Sequence, residues 1–193
     1  MSEATTAPAA RKPKPGAWAP ITEARLLPVS TVGTDDPRVG RALDLIAREA
    51  ELLDHKDYTE WEKLYLDEAL YIIPIDPDTT DFANTLNMVY DDATMRRMRV
   101  TRMTEGYAIA AVDSARTVRT VSRVVPSDVT DDVVQLRVGQ TLIAYKRGRH
   151  DIWAANVDYI VRLGESAMSD RILQKVIRLI NGNDEVPAAG FLL

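Results

Sequence analysis

The sequence predicts an α+β fold in which helices pack on one face of a curved, mostly antiparallel sheet. Helical periodicity is concentrated between residues 37 and 103, whereas strand-like alternation dominates from 116 to 180. Helices and strands that are segregated along a chain are typical of α+β domains. The 193 residues are enough for one domain with a full core plus a tail, and we place that domain at 37–193.

The segment 1–36 is predicted to be an extended or disordered arm. It is rich in Ala, Pro and Thr, a composition that forms neither a helix nor a core by itself. Its larger apolar residues are Trp18, Ile21, Leu26 and Leu27. Two interpretations stay open: these side chains anchor the arm on a neighbouring surface, or the arm is a leader without fixed contacts.

Two helices are predicted to begin the domain. Pro37 suits the first turn of a helix, and the polar run Asp54-His55-Lys56 ends it. Its apolar stripe is predicted at Leu43, Ile46, Ala47, Ala50 and Leu53. Asp57 is placed to cap a second, short helix, with Glu60 completing a capping box. The apolar face of that helix is predicted at Tyr58, Trp61, Leu64 and Tyr65.

A strand, a short strand and a third helix are predicted next. The first strand spans 69–75 and is closed by Pro74 and Pro77, and the second spans 86–90. Asp91 and Asp92 favour the N-terminus of a helix from Ala93 to about residue 103, because carboxylates suit its positive end. We expect capping to explain both carboxylates, and Gly106 to end the helix.

The remaining sequence alternates as half-buried strands do. The strands are predicted at 116–125, 134–144, 153–163 and 172–180, with turns at 147–149 and 164–169. Four long antiparallel strands behind N-terminal helices match the cone-shaped fold of the nuclear-transport-factor-2 (NTF2) type, also called cystatin-like. That scaffold carries enzymes, binding proteins and passive subunits, so the fold alone does not give the function.

Composition excludes several classes of protein. A net charge of −5 disfavours a nucleic-acid partner. The absence of cysteine excludes disulfides, thiolate zinc sites and iron–sulfur ligation by this chain. No apolar run reaches the roughly 18 residues that a membrane span needs. These features lead us to expect a cytoplasmic protein that binds no membrane.

Few residues in the sequence are candidates for catalysis or metal binding. His55 and His150 are the two histidines, and both lie in polar, turn-like contexts, so we expect neither to bind a metal. The alternative to a passive chain is a free-standing dehydratase or isomerase, with acid–base side chains in the cone cavity. The candidates for that alternative are Asp54, His55, Asp57, Tyr58 and Tyr71.

A series of short motifs in a fixed order identifies a family. The motifs are E-x-x-L-L-D at 49–54, W-x-x-L-Y at 61–65, a strand ending at Pro74, Y-D-D at 90–92, R-V-x-R at 99–102 and K-x-x-x-L-I-N at 175–181. Together they resemble the small (beta) subunit of the aromatic-ring-hydroxylating dioxygenases. One segment departs from the pattern: Arg119 stands where the family has His, with further changes at Ala115, Val118 and Arg123.

The resemblance implies a subunit with no catalytic residue, cofactor or metal of its own. The large (alpha) subunit of such systems holds a Rieske [2Fe–2S] cluster and a mononuclear non-haem iron. Three large and three small subunits form the hexamer, to which ferredoxin and reductase proteins deliver electrons. We expect this chain to meet its neighbours through Arg99 and Arg102 of the third helix and through the apolar end Phe191, Leu192 and Leu193.

Overall fold

The computed structural model describes residues 30–105, 115–184, 186 and 189–193. The elements are α1 (Pro37–His55), α2 (Tyr58–Glu62), β1 (Tyr65–Pro74), β2 (Asn87–Asp91), α3 (Ala93–Thr104), β3 (Arg116–Val129), β4 (Val133–Lys146), β5 (Arg149–Arg162), a 3-10 turn (Ala167–Ser169) and β6 (Arg171–Leu179). The α+β class is confirmed. Among the helices described, none is long and apolar enough to cross a membrane.

Six strands form one sheet in the order β2-β1-β6-β5-β4-β3. The four long strands β3 to β6 pair antiparallel with their neighbours, as predicted. The pairing of β1 with β6 is parallel, which the sequence did not indicate because the two strands are about a hundred residues apart. Register shifts in β3, at Ser122/Val125 and Pro126/Asp128, interrupt the ladder where the sheet bends.

Helix α1 begins and ends as predicted, but its buried face is rotated. The carboxylate of Asp36 accepts the N–H of Arg38 at 2.8 Å and caps the helix, with Pro37 in the first turn. The buried residues of α1 are Val39, Ala42, Leu45, Ile46, Glu49 and Leu53. The predicted stripe was therefore wrong at Ala47, which is exposed, and only partly right at Ala50, which is half-buried. Leu43 is half-buried but packs against the core, as predicted. Glu49 occupies the centre of the true stripe.

The arm boundary at residue 36 stays a prediction, since residues 1–29 lie outside the described part. The described residues just before α1 contact the domain: the N–H of Ser30 donates to the carbonyl of Pro126 at 3.0 Å. The chain thus enters the fold beside the edge strand β3.

The central strand β6 is buried on both faces. Lys175 points inward, toward the helices, and lies in register with Tyr71 of β1 and Tyr159 of β5. Arg178 points outward, where its Nε donates to Asp158 at 3.0 Å and its Nη1 to the carbonyl of Pro77 at 2.7 Å. The loop after β1 therefore covers this part of the outer face, which explains why Arg178 is buried.

The two adjacent carboxylates before α3 have different functions. Asp92 caps the helix by accepting the N–H of Met95 at 2.9 Å, as predicted. Asp91 is buried and accepts Nε and Nη2 of Arg99 at 2.5 and 3.0 Å. Capping thus does not explain both carboxylates, because Asp91 ends β2 pointing into the fold. The predicted stop at Gly106 lies outside the described residues.

This difference predicts unequal stability effects at adjacent positions. Asp91→Ala leaves the Arg99 guanidinium without its partner in a largely buried site, and should lower the free energy of unfolding by about 2–3 kcal/mol. Asp92→Ala removes one helix cap and should cost about 1 kcal/mol. Urea denaturation of the two variants measures both values. Equal losses would contradict the structural assignment.

Candidate functional site: a buried charge cluster inside the cone

The inner face of the sheet and the first two helices enclose a buried carboxylate, Glu49. Its Oε1 accepts Nε1 of Trp61 at 3.1 Å, the hydroxyl of Tyr65 at 2.5 Å and Nζ of Lys175 at 3.0 Å. Its Oε2 accepts the hydroxyl of Tyr159 at 2.7 Å. Glu49 is 1% exposed and Lys175 is 0% exposed. A charge buried this deeply must be paired and hydrogen-bonded, and this one is.

Lys175 connects this cluster to the end of the chain. Its Nζ also donates to the main-chain carbonyl of Leu193 at 3.1 Å. The Tyr71 hydroxyl donates to the same carbonyl at 2.7 Å and accepts the Leu193 N–H at 3.2 Å. The ammonium also lies 5.4 Å from the centre of the Tyr159 ring. The last residues of the sequence are therefore attached to the inner face of the sheet.

Neighbouring groups determine the charge states in the cluster. Burial raises the pKa of the Glu49 carboxyl, but the charge of Lys175 and the hydrogen bonds from Tyr65 and Tyr159 outweigh burial, and the net pKa is lowered. Burial, followed by the nearby Glu49 charge, raises the pKa of Tyr65 and of Tyr159 well above 10.0. At neutral pH Glu49 is thus a carboxylate and both phenols are neutral donors.

A second polar contact holds the residue before Leu193. Asp54, at the end of α1, accepts the hydroxyl of Thr117 at 2.8 Å and the N–H of Arg119 at 2.8 Å. The Arg119 guanidinium pairs with the same carboxylate and donates to the carbonyl of Leu192. Arg119 therefore holds α1, β3 and the end of the chain together.

The end of the chain packs against the domain itself. Phe191, Leu192 and Leu193 are buried against this chain's own core, and their expected contact with a neighbouring subunit stays a prediction. The Arg99 guanidinium is also largely unavailable to a partner subunit, because it pairs with Asp91. Arg102 is exposed on α3. Of the expected contact residues, Arg102 alone is exposed and takes no part in the contacts with Asp91 or with the core.

Of the acid–base candidates, only Asp54 and His55 line one groove, between α1 and β3. His55 is exposed at the end of α1, with Nδ1 at 2.9 Å from the carbonyl of Glu51. Asp57 is exposed and accepts the N–H of Glu60 at 3.3 Å, which confirms its capping function. Burial raises the pKa of Tyr58, and burial with the Glu49 charge raises that of Tyr71. Neither phenol is therefore a base at neutral pH.

Within the described ranges, no group of three or more His, Cys, Asp or Glu side chains is placed to hold a metal ion. His150 lies at the start of β5, exposed, with its ring 4.8 Å from that of Tyr145. His55 is at the far end of α1, so the two histidines do not share a site.

Sequence reasoning missed Glu49 and Lys175 as a buried pair. A signal for Glu49 existed: it is three residues after Ile46 and four before Leu53, and therefore lies on the apolar stripe of α1. Lys175 gave the matching signal, as a cation at the centre of a largely apolar strand. A buried acid and a buried base in different elements are candidates for one ion pair.

Comparison with known proteins agrees with this geometry. A family model described as "Ring hydroxylating beta subunit" matches residues 48–183. The small oxygenase component of the p-cumate 2,3-dioxygenase system of Pseudomonas putida is 28% identical over 136 residues, which is 68% of this chain and 73% of that protein.

Two solved structures show the same fold. The beta subunit of benzoate 1,2-dioxygenase from Burkholderia mallei has a TM-score of 0.62 and 22% identity, covering 78% of this chain and 94% of that one. An NTF2-like protein with a cystatin-like fold from Novosphingobium aromaticivorans has a TM-score of 0.54 and 13% identity, covering 78% and 94%. The predicted NTF2-like, cystatin-like fold is confirmed.

The buried pair predicts strong coupling between two distant substitutions. Glu49→Gln leaves the Lys175 ammonium buried without a counter-charge, and should lower the free energy of unfolding by about 3–5 kcal/mol. Lys175→Met leaves the carboxylate unpaired at a similar cost. The double variant should lose much less than the sum of the two, as measured by urea denaturation. Additive losses would show that the two groups do not interact.

The lowered pKa of Glu49 also predicts how stability depends on pH. A carboxyl whose folded pKa lies below its ordinary value of 4.5 stabilises the fold fully above that value. The stabilisation is lost as the pH falls through the folded pKa. The difference in stability between wild type and Glu49→Gln should therefore stay constant from pH 7 to about 5 and shrink only below 4.5. A difference that shrinks already near pH 6 would indicate a raised pKa instead.

Proposed function

Because this chain belongs to the ring-hydroxylating beta-subunit family, we propose that it is the non-catalytic small subunit of an aromatic-ring-hydroxylating dioxygenase. In this proposal it supports the oligomer of an iron-containing large subunit that degrades aromatic compounds. Catalysis and electron transfer take place in the partner. The Rieske [2Fe–2S] cluster and the mononuclear non-haem iron belong to that large subunit.

One observation carries the non-catalytic part of the proposal. The buried acid and base of the cone interior are bonded to each other and to their neighbours: Glu49 receives four donors, and Lys175 and Tyr71 hold Leu193. A dehydratase or isomerase needs an acid and a base that reach a substrate. Here Glu49 and Lys175 are fully buried and bonded within the chain, so neither is free to act on a substrate. This arrangement favours a structural function over the alternative of a free-standing enzyme.

The partners follow from the family. The P. putida relative is a small oxygenase component, which supports a large subunit as the direct partner of this chain. We propose a hexamer of three large and three small subunits, reached by ferredoxin and reductase proteins in the cytoplasm. No part of the proposal requires nucleic acid or a membrane.

Two exposed apolar surfaces are available for assembly. The first, the α3 surface, consists of Met95 and Met98, which are 41 and 53% exposed, beside Arg102. The charge of Arg102 and the flexible methionines suit a protein interface. The expected contact through the third helix is therefore retained, with Arg102 rather than Arg99 as its charged residue.

The second, the sheet surface, is a row across three strands on the outer face. Val118, Ile143 and Ile152 lie side by side in register on β3, β4 and β5 and are 55, 39 and 72% exposed. Contiguous apolar side chains on a sheet face mark contact sites more often than scattered ones do. A subunit that contacts both large and small neighbours needs two such surfaces.

The α3 surface can be tested with a matched pair of methionines. Met98→Asp places a charge on this surface and should dissociate the complex or lower its mass at micromolar concentration, because a desolvated charge weakens an interface by several kcal/mol. Met168→Asp makes the same change at a residue that is 71% exposed in the turn before β6, and should leave the mass unchanged. The measurement is light scattering of the chain co-purified with its large subunit.

Equal behaviour of the two variants would remove the α3 surface from the interface. A wild-type chain that stays monomeric beside the large subunit would contradict the proposed function itself.

A further inference from the structure

We propose that a half-enclosed apolar cavity at the mouth of the cone binds one neutral, single-ring arene. The cavity has a volume of about 240 Å³ and lies between β1, β2, β6, Trp153 of β5 and the end of the chain. The inference concerns this chain alone and does not depend on assembly with a large subunit.

The walls of the cavity are almost entirely hydrophobic. Its apolar lining residues are Ile73, Met88, Val89, Trp153, Leu179, Val186, Ala189, Phe191, Leu192 and Leu193. Trp153 and Phe191 meet edge-to-face, with ring centres 5.6 Å apart. A third ring that enters this space can form the same type of edge or face contact with either of them, which favours an arene over an aliphatic ligand of equal size.

Among the described residues, the polar groups that line the cavity are already paired, so they offer no free charge to a ligand. The Tyr71 hydroxyl both donates to and accepts from Leu193. The Arg99 guanidinium makes two hydrogen bonds to the buried carboxylate of Asp91, which neutralises it. A carboxylate ligand would lose its hydrating water on entering the cavity and would meet no free positive charge there. That loss costs several kcal/mol. A neutral ring has no such cost.

The volume of the cavity suits a single ring. A dry apolar cavity of roughly 150 Å³ is sufficient to bind benzene in another protein. A cavity of about 240 Å³ therefore holds one ring with a small alkyl substituent. Because Phe191 to Leu193 form one wall, an arene in the cavity would also contact the end of the chain.

The test is binding of fluorobenzene to the full-length chain, followed by ¹⁹F NMR. We expect saturable binding of one fluorobenzene per chain, with toluene competing and benzoate competing at least tenfold more weakly. In ¹H–¹⁵N spectra, toluene should shift the indole N–H signal of Trp153 and leave that of Trp61 in place. The Trp153 signal is assigned from the Trp153→Phe variant.

A matched pair of substitutions locates the site. Val89→Phe fills the cavity from β2 and should weaken fluorobenzene binding at least tenfold. Val118→Phe makes the same change on the exposed sheet surface and should leave affinity within twofold of wild type. If Val89→Phe fails to fold by circular dichroism, Met88→Trp fills the same space and should show the same loss.

Three results would overturn the proposal: no saturable binding up to the solubility of fluorobenzene, unchanged affinity in a folded cavity-filling variant, or benzoate competing as well as toluene. None of these results bears on whether the chain assembles with a large subunit. Failure of this inference and failure of the proposed function are therefore distinguishable.

Discussion

The fold depends on one buried ion pair, between Glu49 and Lys175. Removing two charges from water costs several kcal/mol for each ion unless their hydrogen bonds are also satisfied. The Glu49 carboxylate meets that condition with four donors, one each from α2, β1, β5 and β6. Because each donor belongs to a different element, the position of α1 over the sheet is fixed by one side chain. The same carboxylate bonds to both strands of the parallel contact, to Tyr65 of β1 and to Lys175 of β6.

The cluster also explains how the end of the chain is held inside the cone. Lys175 and Tyr71 hold Leu193, and Arg119 holds Leu192 from the side of β3. These polar groups therefore hold the chain in place. Apart from the apolar cavity beside Trp153 and Phe191, two exposed surfaces stay available: the face of α3 and the apolar row on the sheet. Those surfaces suit a protein that assembles with others.

Local sequence patterns predicted the local structure, but they did not predict contacts between residues that are far apart in the sequence. The ends of α1, the Asp57 and Asp92 caps and the four long strands follow from short-range periodicity and capping chemistry. The Glu49–Lys175 pair joins residues 126 positions apart; a local pattern can mark each residue as unusual but does not pair them. Asp91 was misjudged for the same reason, since a carboxylate beside a helix has a familiar local explanation. Only the folded chain places Arg99 beside Asp91 and Trp153 beside Phe191.

The central claim is that the charge cluster serves structure and not catalysis. The most direct test is the turnover of the assembled dioxygenase that contains the double variant Glu49→Gln with Lys175→Met, expressed per mole of intact complex. In this variant a buried acceptor and an apolar side chain replace the two charges together, so neither charge is left unpaired. The account predicts turnover within a few-fold of wild type. A loss on the order of a thousandfold in a complex of unchanged mass would be the size that removal of a general acid or base produces, and would contradict it.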